Sequence, residues 1–227
     1  MKLISATPSP WARKVRIVLI EKGIDCELVH DVPWSPQTCV PRFNPLEKLP
    51  ILVTDEGESV YESRLIAEWL ERRFPEPPMI PRDDAGYLRT KICEVIADGV
   101  LDALLLYFFE LGRTHQNDEW RERQLRKVVG GVAEACRLIA EAPFAVGNRF
   151  SLADAAFVAM LGSLDFCIAQ GHELRFDWRV AHPSLVHYFE AHQARPSVID
   201  TRPVMFDYDP QAVMAASAAD DARLIHQ

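Results

Sequence analysis

The stretch Leu3-Ile4-Ser5-Ala6-Thr7-Pro8-Ser9-Pro10-Trp11-Ala12-Arg13-Lys14-Val15-Arg16-Ile17 reads as a strand, a tight turn and the start of a helix. Its apolar run closes at Thr7-Pro8. Val15, Val18 and Leu19 then recur at helical spacing, with Ile17 on the flank. A serine ahead of a proline at the first helical position is a common N-cap. Ser9 also stands where backbone N–H groups are unpaired and the macrodipole is positive, so an anion is stabilised beside its hydroxyl. On this stretch alone Ser9 is a cap, a hydroxyl beside an anion site, or both.

Working outward, strands and helices alternate over the first 80 residues. Residues 2–5 read as a strand and 10–22 as a helix stopped by Gly23. Residues 25–30 read as a second strand and 32–44 as a proline-rich loop with room for one short helix. Residues 51–54 and 59–61 are strands joined by the turn Asp55-Glu56-Gly57-Glu58. Residues 63–74 form a helix with Leu65, Ile66, Trp69 and Leu70 on its apolar face. Four prolines between Pro75 and Pro81 then make a stiff connector and a domain boundary.

Beyond the connector only helical periodicity remains, over 83–115, 118–142 (through Gly130-Gly131), 150–170, 184–192 and 197–200. The domains expected are 1–80 and 87–205, with the Ala-rich 206–227 as a tail. Ser151-Leu152-Ala153-Asp154 is a helix-starting box in which the carboxylate reaches back to the Ser151 amide. The all-apolar run that follows it marks a buried helix, so this box is a folding element.

The chain carries 33 acidic against 25 basic residues, a net charge of −8, which disfavours nucleic-acid partners. Arg13, Lys14 and Arg16 form a local basic cluster, either an attractor for a small anion or a solvated helix face. The longest apolar candidate for a membrane span, 100–111, is interrupted by Asp102 and Glu110. With no secretory signal either, a cytoplasmic protein free of the membrane is expected. The five cysteines are odd in number and lack CxxC or metal-ligand spacing, so they read as reduced thiols, mostly in the core.

Three further segments carry candidate chemistry. In Asn44-Pro45-Leu46-Glu47-Lys48-Leu49-Pro50, a cis bond at Pro50 would turn the Leu49 N–H and C=O outward toward an extended peptide. In Tyr61-Glu62-Ser63-Arg64, Ser63 can cap a helix, or hold a carboxylate while Glu62 takes an ammonium group. Asp98 and Asp102 interrupt an otherwise apolar helix, where they either cap a kink or face a cleft.

Together these segments resemble the cytosolic glutathione transferases over nearly the whole chain. The N-terminus is similar to bacterial members with a Ser-Pro-aromatic-x-Arg-Lys-Val-Arg sequence. Asn44-Pro45 through Leu52 looks like the family's cis-proline segment, Glu62-Ser63 its γ-glutamyl pair, and Ser151–Asp154 its helical-domain box. The resemblance implies an α/β thioredoxin-like N-terminal domain followed by an all-α helical bundle domain. It implies glutathione as co-substrate, no metal, and conjugation of the thiolate to a small hydrophobic electrophile.

By the same resemblance Ser9 would donate to the glutathione sulfur and Trp11 would wall the thiol site. Leu49, held by cis-Pro50, would pair with the cysteinyl unit, and Lys48 would reach the glycyl carboxylate. Glu62 and Ser63 would hold the γ-glutamyl amine and carboxylate. Asp102 would reach the partner subunit of a homodimer, with Asp98 competing for that role. Tyr107, Phe108 and Phe109 are candidate walls for the electrophile. A cysteine at the position of Ser9 would mark a redox-active member, and a Ser-Ser-Cys run an isomerase; neither is present. Glutathione-dependent isomerisation or dehalogenation, and a non-enzymatic partner-binding role on the same fold, are the alternatives.

Overall fold

Strand β1 (Lys2–Ser5) is buried along Leu3, Ile4 and Ser5, because both faces of the sheet are covered there. The structure, a computed structural model, describes residues 1–171 and 174–205. The expected tail at 206–227 lies outside the described residues. β1 pairs in parallel with β2 (Glu27–His30) and antiparallel with β3 (Ile51–Val53), which pairs antiparallel with β4 (Ser59–Tyr61). The strand order is β2-β1-β3-β4.

The register decides where the site can be. Ser5 faces His30, Ile4 faces Ile51, and Ile51 faces Tyr61. The ends of β1, β2 and β4 and the beginning of β3 therefore share one edge of the sheet. The turn that carries Ser9, the Leu49-Pro50 pair and the Glu62-Ser63 pair all emerge at that edge.

Helix α1 (Pro10–Glu21) follows β1 and ends against Gly23, whose φ of +63° suits a residue without a side chain. It packs on α2 (Ser63–Arg73), on α5 (Leu152–Ala169) and on the single-turn α8 (Pro196–Ile199). With neighbours on so many sides it has little solvated face. Arg13, Lys14 and Arg16 are 2, 1 and 5% exposed, so the basic cluster is neither a solvated face nor an open anion attractor.

Each of these cations finds an acceptor in the helical half, and Arg16 another in the turn after β1. Arg13 donates to the Val198 carbonyl at 3.3 Å, and Arg16 to the carbonyls of Thr7 at 3.2 Å and Thr201 at 3.5 Å. Burial, with Arg16 and Arg202 nearby, pushes the Arg13 guanidinium down to about 10. Gly162 of α5 makes room for it, since an added Cβ would lie 2.2 Å from Arg13 Nη1.

Among the described residues the remaining α-helices are α3 (Asp84–Leu111), α4 (Asp118–Ile139), α6 (Trp178–Ala181) and α7 (Pro183–His192), and a short 3-10 turn spans Val40–Arg42. α3 and α4 close tightly at Gly131, where a Cβ would meet Val100 Cγ2 at 2.2 Å. α6 was not expected: four residues are too short to show a period, although Asp177 caps it through the Arg179 and Val180 amides. The 18 residues of α5 are long and apolar enough to cross a membrane, contrary to the expectation of no such segment. In the fold α5 is the core of the helical half, buried continuously from Leu152 to Leu164.

At the start of α5, Asp154 accepts from Ser151 N at 2.8 Å, Ser151 Oγ at 2.7 Å, Ala145 N at 2.7 Å and Tyr188 Oη at 2.7 Å. This confirms a folding element and gives its carboxylate four donors.

Candidate functional site

Ser9 is the N-cap of α1, accepting from Ala12 N at 3.3 Å, with Pro10 at the first helical position. Its own amide donates to the Ala6 carbonyl at 3.1 Å, which closes the turn. An oxygen that accepts a hydrogen bond keeps its hydrogen, so the capped hydroxyl can still donate outward. Ser9 and the neighbouring Trp11 are half-buried, and Trp11 packs against the main core.

The loop before β3 is organised by Asn44, which is 2% exposed. Its side chain donates to the Lys48 carbonyl at 2.8 Å and accepts from Leu46 N at 2.9 Å. Glu47 takes a positive φ of 52°, and the Leu49–Pro50 bond is cis. Leu49 is half-buried, Pro50 buried and Lys48 exposed.

At the end of β4 helix α2 starts at Ser63 as expected, but Ser63 does not cap it. Glu62, not Ser63, holds the N-cap position, with φ 77°, and its side chain caps nothing. Ser63 opens α2, is 1% exposed, and donates through Oγ to Glu62 Oε1 at 3.3 Å. With no side chain capping α2, its first amides and its positive dipole end face the shared edge.

Arg64 joins this pair to the helical half. Its Nε lies 3.3 Å from both Glu62 Oε2 and Asp98 Oδ2. Asp98 is 2% exposed and also takes Lys14 Nζ at 2.9 and 3.0 Å. It is therefore engaged within its own chain, whereas Asp102 is exposed on α3. Burial raises the Asp98 carboxyl despite Lys14. In Glu94, burial is outweighed by Lys14 and Lys91, which hold it below the ordinary value. Asn44 and Arg64 are positioning groups to which sequence reading gave no role.

A cleft of about 470 Å³ opens at the same sheet edge, lined among others by Thr7, His30, Asp31 and Cys39. Asp31 accepts from Thr38 Oγ1 at 2.7 Å and from Cys39 N and Sγ at 2.9 Å. That bond, with burial, pushes the Cys39 thiol up, so no thiolate is prepared there. Trp34, on the loop bounding the cleft, meets Phe109 of α3 edge-on at 6.2 Å. Tyr107, expected as a wall, is 1% exposed and belongs to the core. Among the described residues no group of three or more His, Cys, Asp or Glu could hold a metal ion.

Comparison with known proteins agrees with this fold. Residues 3–78 match the glutathione S-transferase N-terminal domain and residues 118–191 the C-terminal domain. The chain is 34% identical over 206 residues to the uncharacterized GST-like protein YibF of Escherichia coli (strain K12), covering 89% of this chain and 98% of that one. It is 30% identical over 207 residues to the maleylacetoacetate isomerase of Pseudomonas aeruginosa, covering 86 and 96%. A crystal structure of a glutathione S-transferase from Methylobacterium radiotolerans, in complex with glutathione sulfonate, superposes with a TM-score of 0.86 at 46% identity, covering 92 and 97%. Matched in both halves and along nearly the full length of these relatives, the chain belongs to the glutathione S-transferase family.

Proposed function

We propose that the protein binds glutathione at the shared edge of β1, β3 and β4 and conjugates its thiolate to a small, largely apolar electrophile. The observation that carries this reading is the register that brings Ser9, Leu49-Pro50 and Glu62-Ser63 to one edge. Ser9 donates to the sulfur. A free thiol ionises near pH 8.5, so at neutral pH a donor and a helix N-terminus favour the reactive form. The Leu49 backbone pairs with the cysteinyl unit beside Pro50, and Lys48 reaches the glycyl carboxylate. Glu62 takes the γ-glutamyl ammonium, while Ser63 and the uncapped amides of α2 take its carboxylate. Trp11 walls the thiol, and the electrophile lies toward the Trp34–Phe109 pair.

The reading goes with a cytoplasmic homodimer that uses glutathione as co-substrate without a metal. Leu88, Ile92 and Val95 on α3 and Leu65 on α2 are exposed apolar side chains suited to a second copy, which Asp102 would reach. The likeness to an isomerase favours glutathione-dependent isomerisation as the second reading.

Binding to immobilised glutathione, followed by turnover of an aryl halide, tests the proposal. Ser9→Ala should lower conjugation at least about tenfold, near 1.4 kcal/mol, with a smaller change in glutathione affinity. Unchanged turnover would leave Ser9 a cap only. Binding and no turnover would favour the isomerase reading, and neither would favour a non-enzymatic partner-binding protein.

A further inference from the structure

Lys14 is a buried ammonium on α1, 1% exposed, held by Glu94 Oε1 at 3.0 Å and by both oxygens of Asp98. Burying an ammonium and two carboxylates costs several kcal/mol per ion, and an apolar side chain would serve the packing of α1 on α3 as well or better. Packing does not account for Lys14, so its place in the charge sequence is the more informative fact. From Lys14 the contacts run to Asp98, from Asp98 to Arg64, and from Arg64 to Glu62, alternating in sign at each step. The last member, Glu62, has a side chain 51% exposed at the sheet edge.

We propose that Lys14 is a positioning residue for the γ-glutamyl end of the site, acting through Asp98 and Arg64 on Glu62. This rests on the reading of Glu62 as the ammonium partner. Arg64 Nε makes no aligned hydrogen bond, and it stands 3.3 Å from each of its two carboxylates. Its position is thus set by the balance of charge on either side. With Lys14 neutralising the interior acids, Arg64 is shared with Glu62 and holds that carboxylate in place. Without Lys14, Asp98 would lose its buried ammonium and Glu94 would keep Lys91 alone of its two lysines, and the excess negative charge would draw Arg64 inward, leaving Glu62 unrestrained.

The test is a double-mutant cycle on the full-length protein, read as KM for glutathione, KM for an aryl halide, and kcat. Lys14→Met alone leaves two buried carboxylates short of a partner, so Lys14→Met/Glu94→Gln, which removes one charge of each sign, guards against loss of folding. Either variant should raise the glutathione KM about tenfold with little change in the aryl-halide KM. In a Glu62→Gln background the same changes should add nothing further. An unchanged glutathione KM, equal rises for both substrates, or effects that multiply with Glu62→Gln would overturn the inference. If Glu62→Gln itself leaves the glutathione KM unchanged, the underlying reading of Glu62 falls with it.

Discussion

Helices α2 and α5 both begin beside a serine and a carboxylate, and the two pairs differ in how fully they are satisfied. At α5 the Asp154 carboxylate is buried and takes four donors from the chain itself. At α2 the Glu62 carboxylate is half-exposed, caps nothing, and among the described residues is steadied by Ser63 and Arg64. A saturated helix start stabilises the fold, whereas an unsaturated one keeps amides and a carboxylate for something from outside. The same residue types thus serve opposite ends, and the count of internal partners tells them apart.

The contrast is broken most severely at Asp154. Asp154→Ala strips partners from Tyr188 and from two amides at once, and should cost about 3–5 kcal/mol of stability. Denaturant melts check it, and whatever protein remains folded should bind glutathione normally. Next in size is Glu62→Gln, expected to raise the glutathione KM about tenfold to a hundredfold while leaving the melting temperature nearly unchanged. If it instead unfolds the protein, the two starts do the same work.

A smaller effect comes from acid. His192 lies with Nε2 3.9 Å from Asp154 Oδ1, and burial holds its imidazole below the ordinary value, only partly offset by Asp154. The unfolded chain takes up this proton below about pH 6.5, before the folded chain does. The contribution is therefore complete above that pH and is lost as pH falls toward the folded-state value, with a slope of at most about 1.4 kcal/mol per pH unit. Melts from pH 7 to pH 5 should show a shallower decline in His192→Gln than in the natural protein. Smallest are the serines. Ser151→Ala should lower stability by about 1 kcal/mol with affinity intact, and Ser63→Ala should weaken glutathione binding with stability nearly intact.

Much of this was legible along the chain. The hairpin strand β4 begins and ends as read, and α2 and α5 stand within two residues of their expected bounds, because their apolar periods are clean. That the three segments meet at one edge follows from the strand register, which the structure alone shows. What could not be read is burial imposed from a distance. Arg13, Lys14 and Arg16 look like solvent-seeking charges, but their acceptors at Val198, Asp98 and Thr201 lie 185, 84 and 185 residues away. That Glu62 and not Ser63 takes the cap position of α2 was missed, because a positive φ at a glutamate leaves no mark in composition. Arg64 escaped because its role depends on Asp98, which joins it only when α2 packs near α3.

The arginines of α1 set a condition on how this architecture can change. Each guanidinium donates to a main-chain carbonyl near the far end of the helical half, Arg13 to Val198 and Arg16 to Thr201, and Arg13 fills the space above Gly162. Backbone acceptors cannot be altered by substitution, only by moving the helix that presents them. A sheet half grafted onto the helical half of a relative would inherit stranded cations unless α8 arrived at the same height. Recombination at the proline connector would therefore succeed only between chains that share this docking, and cleavage there should release no independently stable half.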